Sequence, residues 1–150
     1  MPAWPDIVIT RTDSPEVLLA VEVKSGVAGA QSAERQIKAY MLHQSCPIGM
    51  VVTPDDTLFF RNRYTGYDSD AIQQIGECRT SELLDAMPDT ATMSESYLVQ
   101  RVDQWLESLR GGSRRSWPGS TREAMESYIL PAVASGVVRA TGPRWLRTGS

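Results

Sequence analysis

Two short apolar runs near the start of the chain constrain its fold most, because each carries charge where a buried strand can least accommodate it. The first run is DIVIT (6–10), the second VLLAVEVK (17–24), and the polar turn RTDSPE (11–16) separates them. On a strand, side chains alternate between faces, so Leu19, Val21 and Val23 share one side while Glu22 and Lys24 share the other. A charged pair at i and i+2 on so apolar a strand is costly to bury without compensation. A divalent cation held by Asp6 and Glu22, with Lys24 beside it to meet a phosphate, supplies that compensation.

Phosphodiester chemistry explains the residue types. Mg²⁺ prefers octahedral oxygen ligands and keeps several waters, so one or two carboxylates suffice to hold it. Such an ion makes water more acidic and acts as a Lewis acid on the phosphate. The side chain of Val23 points away from Glu22 and Lys24, but its backbone carbonyl can serve as a further oxygen ligand. The Lys24 ammonium is a compact charge suited to orient or deprotonate the attacking water and to stabilise charge developing on the phosphate.

A third element follows. The run QSAERQIKAYMLHQ (31–44) has no Pro or Gly, and Glu34 and Lys38 are spaced as an i,i+4 pair. Ala33, Ile37, Tyr40, Met41 and Gln44 fall on one helical face. Gln36 and Tyr40 lie one turn apart in a Q-x-x-x-Y spacing, so they project from the same side.

Pro5-Asp6, then Glu22-Val23-Lys24, then Gln36 and Tyr40 on a helix resemble the PD-(D/E)XK nuclease superfamily in its RecB-like branch. The arrangement is also similar to the nuclease portion of type I restriction subunits and, more loosely, to Uma2-type endonuclease-like proteins. The resemblance covers about residues 4–63. It implies an α/β, restriction-endonuclease-like fold: a mixed central sheet with a crossover helix, followed here by C-terminal helices. It implies a Mg²⁺- or Mn²⁺-dependent nuclease acting on DNA, with Asp6, Glu22 and Val23 around the metal. Asp6, Glu22, Lys24, Gln36 and Tyr40 form the catalytic set. Gln36 and Tyr40, by the same resemblance, contact nucleic acid or support the lysine. Many relatives carry another acid on a helix before the first strand. Only Met1 to Trp4 precede Pro5-Asp6 here, so that ligand is expected to be absent unless another segment supplies it. The site then holds a single metal with fewer ligands, or the sequence is a shortened form of a longer protein. The alternative is a non-catalytic nuclease-fold module that binds nucleic acid or protein. A third reading is a nuclease-like part of a larger restriction or repair complex, and a homodimer is open as well.

At 150 residues the chain suits one domain with a packed core. We divide it into a nuclease-like core, 1–88, and a helical extension, 89–150, within that domain. The net charge of −3 argues against a generally basic, DNA-coating protein, but it is uneven. Residues 1–100 hold seven Lys/Arg against fourteen Asp/Glu, and residues 101–150 hold eight Arg against four Asp/Glu. An acidic metal-binding core with a basic region that grips phosphates fits that split, as does a plain arginine-rich helical surface.

Cys46, Cys78 and His43 have no zinc-ligand spacing, and two cysteines are too few for a disulfide framework. The opening MPAWPD lacks the basic segment and apolar core of a secretory leader. No stretch approaches ~18 consecutive apolar residues, so neither a membrane span nor a membrane partner is expected and the cytoplasm is the default compartment.

Beyond the first helix, IGMVVT (48–53) and TLFFRN (57–62) read as a hairpin around Pro54-Asp55-Asp56. The helix between strands 17–24 and 48–53 makes that pair parallel with a right-handed crossover. Residues 71–77 are ambiguous between strand and short helix. A helix capped at Thr80 or Ser81 is expected to run through Met87, with a linker at 89–94. An amphipathic helix spans 95–109. In SRRSWPGSTRE (113–123) Trp117 either stacks on bases or packs on the body. A last helix covers about 121–135, kinked or ended by Pro131, and the tail from Val137 is expected to fray.

Overall fold

The computed structural model describes residues 4–25, 29–84, 93–112, 116–117 and 119–140. Its elements are β1 (Ile7–Arg11), β2 (Val17–Val23), α1 (Ala30–Gln44), β3 (Ile48–Val52) and β4 (Asp56–Asn62). They continue with β5 (Ile72–Arg79), α2 (Glu95–Arg110), α3 (Gly119–Ala124), a π-helical segment Met125–Ile129, α4 (Leu130–Ser135) and β6 (Gly136–Ala140).

Six strands form one mixed sheet in the order β5-β4-β3-β2-β1-β6. β2 and β3 pair in parallel, as a strand–helix–strand crossover requires, and every other neighbouring pair is antiparallel. The β1–β2 register runs Ile7↔Val21, Val8↔Ala20, Ile9↔Leu19, then shifts at a bulge before Thr10↔Val17.

The sheet separates two apolar layers. Val8, Ala20, Val51 and Phe60 meet Ala33, Ile37, Tyr40 and Met41 of α1 on one face. On the other face, Ile7, Ile9, Val21, Val23 and Phe59 share a cluster with Leu98, Val102 and Leu106 of α2 and with Met125, Ile129 and Val133. That second layer joins residues from both sides of the 88/89 boundary in a single core.

Local chemistry sets where α1 ends and where α2 begins. Ser45 terminates α1 in the left-handed conformation (φ 52°), its N–H donating to the Met41 carbonyl just before Cys46-Pro47. Ser94 caps α2 by accepting from the Tyr97 N–H, and Glu95 sits in the first turn where a carboxylate suits the helix dipole.

Four sequence expectations change. Residues 71–77 resolve into strand: β5 pairs along β4, and its alternation of buried and exposed residues is that of an edge strand with one covered face. The helix expected from Thr80 or Ser81 to Met87 is a single 3-10 turn, Thr80–Glu82; the rest of that expectation, from residue 85, lies outside the described residues, as does most of the 89–94 linker. The last helix starts at Gly119 and is interrupted by π geometry at Met125–Ile129. Pro131 has no N–H, so a continued α register leaves the Ser127 carbonyl without its donor and in collision with the proline ring; the wider turn relieves this. The expected frayed tail begins as a strand: residues 136–140 of β6 pair with all of β1, from Ile7↔Ala140 to Arg11↔Gly136. The edge of β1 supplies backbone partners that outweigh the weak local propensity of the segment, and the absence of a side chain at Gly136 permits close approach to Ile9 and Thr10. Among the described residues no helix is long and apolar enough to cross a membrane.

Candidate functional site

Asp6 lies immediately before β1, and the β1–β2 register extended by one residue sets it across from Glu22. That position belongs to the face shared by Val8 and Ala20, the face that α1 covers. Both carboxylates are buried, Asp6 at 2% and Glu22 at 4% exposure. Asp6 is fixed at two points: its N–H donates to the Val21 carbonyl at 3.0 Å, and its Oδ2 accepts from the Val23 N–H at 2.8 Å. The second bond ties the aspartate to the residue between Glu22 and Lys24. In an extended residue N–H and C=O leave the strand by the same edge, so Val23 turns its carbonyl toward Asp6 as well.

Lys24 follows β2, its N–H donating to the Val52 carbonyl at 3.0 Å and so extending the parallel ladder by one step. Its side chain is half-buried and its stem lies over the start of α1. A Cβ at Gly29 would stand 3.4–3.5 Å from the Lys24 Cβ, Cγ and Cδ. Such contacts are ordinary van der Waals distances, so the lysine stem passes beside the helix start without requiring a glycine there.

On α1, Ile37 and Met41 are fully buried. Gln36 is half-buried one turn before Tyr40 on the flank of the same face. Tyr40 is buried, and burial first, then the neighbouring Cys46, pushes its phenol up to about 12. At neutral pH that hydroxyl is a hydrogen-bond donor and not a base. The Trp4 ring sits 6.3 Å from the Tyr40 ring at a tilt of 53°, so the segment entering Asp6 is anchored on the Q-x-x-x-Y helix.

Two participants escaped the sequence reading. Trp4 was not singled out, because nothing in four residues shows which helix they will meet. Glu95 is the other: its Oε1 accepts from the Ser25 N–H at 3.3 Å, bringing the start of α2 against the residue after Lys24. Seventy positions separate the two residues, and only tertiary packing joins them. Among the described residues, however, no three Asp, Glu, His or Cys side chains gather closely enough to cage an ion, so Glu95 does not complete a three-carboxylate set. The oxygens at this corner that could hold a cation are those of two buried carboxylates, with the Val23 carbonyl beside them. That composition suits a hard cation that keeps most of its waters, as Mg²⁺ does.

The arginine-rich region beyond residue 100 divides. Arg101 stacks over Tyr97 and donates to its hydroxyl, while Arg139 on β6 donates to the Thr10 hydroxyl. Arg114, Arg115, Arg144 and Arg147 lie outside the described residues. Trp117 is buried in the α2–α4 layer, which removes it as a base-stacking platform. Comparison with family models, with curated proteins and with solved structures finds no match for this chain.

Proposed function

We propose that this chain is a Mg²⁺- or Mn²⁺-dependent nuclease that hydrolyses phosphodiester bonds in DNA, in the manner of the PD-(D/E)XK superfamily. The observation that carries the reading is the 2.8 Å bond from the Val23 N–H to Asp6 Oδ2. It joins the aspartate of the first motif to the middle of the second, across seventeen residues, at one end of a buried sheet. The plainer expectation for these charges is solvation at the ends of a hairpin, and carboxylates exposed at 2% and 4% do not suit it.

In this reading Asp6, Glu22 and the Val23 carbonyl hold the ion. When bound, the ion supplies Lewis acidity toward a phosphoryl oxygen and makes water a better nucleophile. Lys24 brings an ammonium to the phosphate, where it stabilises the charge that develops as the bond breaks and orients the attacking water. In the same reading Gln36 and the protonated Tyr40 position nucleic acid or the lysine.

A second reading, a non-catalytic module that keeps the same fold for binding nucleic acid or protein, draws on the absence of a three-ligand cluster among the described residues. One experiment separates the two. Supercoiled plasmid and short single- and double-stranded DNA are incubated with purified protein and Mg²⁺ or Mn²⁺, with and without EDTA. The nuclease reading expects nicking or degradation that EDTA abolishes and Lys24→Ala removes while metal binding persists. Binding without cleavage, identical in wild type and Lys24→Ala, leaves the module reading in its place.

A further inference from the structure

At the opposite end of the sheet, on the face away from α1, a cavity of about 330 Å³ opens between the strands and the last helix. Its floor is apolar, formed by Leu18 at the β2 bulge, Ile48 at the start of β3 and Ala132 on α4. Arg11, Arg61 and Tyr128 supply polar groups at its rim, and none of its lining residues is acidic. In a chain of net charge −3 that is an unusual patch. Four residue steps along the strand, roughly 13 Å of extended chain, separate Leu18 from Glu22, so the pocket is distinct from the carboxylate corner.

Arg61 is held in place by neutral partners. Its Nε donates to Gln73 Oε1 at 3.0 Å and its Nη1 to the Tyr128 hydroxyl at 3.3 Å. A guanidinium presents five N–H donors, so this leaves donors unused, and Arg61 has no ion pair among the described residues. The Tyr128 hydroxyl accepts from Arg61 and keeps its own proton to donate. Arg11 is the weaker contributor, because Glu16 already pairs with its Nε at 2.6 Å. Tyr128 belongs to the π-helical segment and lines the pocket from the helical side. On the other side of the Arg61–Tyr128 bridge lies a separate polar cleft that contains Glu123, which gives the bridge one anion-favouring side.

We propose that this pocket binds a small amphipathic anion: a phosphate or carboxylate on an apolar or aromatic body. The anionic head meets Arg61 and the Tyr128 O–H, and the body lies on Leu18, Ile48 and Ala132. The volume falls in the range of small-molecule sites, which combine an apolar lining with a few convergent polar groups. The inference does not depend on the nuclease reading, since it uses other residues on the other sheet face.

Phenyl phosphate serves as the probe, with inorganic phosphate and phenol as its two halves and benzoate as the carboxylate form. Titration of the full chain is followed by the amide resonances of Ile48, Ser127, Tyr128 and Ala132. Saturable shifts are expected with phenyl phosphate and benzoate, with each half binding at least about tenfold more weakly. Arg61→Met should weaken binding about tenfold or more, as loss of a charge-assisted hydrogen bond does. Tyr128→Phe, which removes only one hydroxyl, should weaken it severalfold, and Lys24→Ala should leave it unchanged. Melting curves for each variant establish that it is folded. The proposal is overturned if neither organic anion shifts these amides, if inorganic phosphate binds as tightly as phenyl phosphate, or if Arg61→Met and Tyr128→Phe both bind like wild type.

Discussion

Asp6 serves two purposes that substitution can separate. Structurally it is the acceptor for the Val23 N–H at a position only 2% exposed; functionally it is the proposed ligand. Asp6→Ala strands a buried donor, which costs about 1–3 kcal/mol. For a chain of this size each kcal/mol is worth roughly 2–4 °C in melting temperature, so the midpoint should fall by about 2–12 °C. Asp6→Asn keeps an oxygen able to accept from Val23, so it should melt within about 4 °C of wild type, having lost the charge but not the bond.

Metal then reads the second role. A cation at ten times its dissociation constant stabilises the folded state by roughly 1.4 kcal/mol, which raises the midpoint by about 3–6 °C. Calorimetry of the three proteins with and without Mn²⁺ should show that rise in wild type alone. The reasoning is refuted if Asp6→Asn melts as low as Asp6→Ala, or if Mn²⁺ stabilises all three equally.

Four further outcomes follow from the packing. A Cβ at Gly136 would lie 2.5 Å from Thr10 O and 2.5 Å from Ile9 Cγ2, so Gly136→Ala pushes on backbone and should cost about 1–3 kcal/mol in urea unfolding. Gly49→Ala meets Met41 Sδ at 2.6 Å, the far part of a flexible side chain, and should cost less than Gly136→Ala in the same assay. Tyr40 has a pKa raised from 10.0 to about 12 by burial, so the folded state favours the neutral phenol. Its contribution is intact below pH 10 and fades as pH climbs toward 12; Tyr40→Phe should flatten that part of the stability profile, and an unchanged slope would count against it. Burial likewise raises Cys46 to about 12 and Cys78 to about 11, so a thiol reagent at pH 8 should label both only after denaturation.

The sequence was most legible where structure is local. The β1–β2 hairpin, α1 and the β3–β4 hairpin fall within a residue or so of their expected bounds, because alternation, a helix free of Pro and Gly and a Pro-Asp-Asp turn all act over short distances. The same holds for α2: of its apolar stripe, Leu98, Val102, Leu106 and Leu109 are buried and Trp105 is partly buried against the same core. The π segment was half legible: Pro131 announced a disruption but not its form. What could not be read is non-local. β6 carries no strong pattern of its own, and it becomes a strand because β1 offers a free edge more than a hundred residues upstream. Closing so long a loop costs little more than closing a medium one, so a five-residue ladder can hold a segment that looks unstructured by itself.

That late strand bears on the candidate site. Because β6 covers the outer edge of β1, Asp6 stands at the start of an interior strand and not of an exposed one. An edge strand breathes more readily than a strand paired on both sides, and a ligand on it is held less well. The C-terminal region therefore acts on the Asp6–Glu22 corner through the sheet. Weakening β6 at Gly136, far from any proposed ligand, should loosen hydrogen-exchange protection at Ile7 and Val8 as well as at Val138. If β1 keeps its full protection while β6 loses its own, the strand is an ornament on the edge, and the carboxylates depend only on β2 and α1.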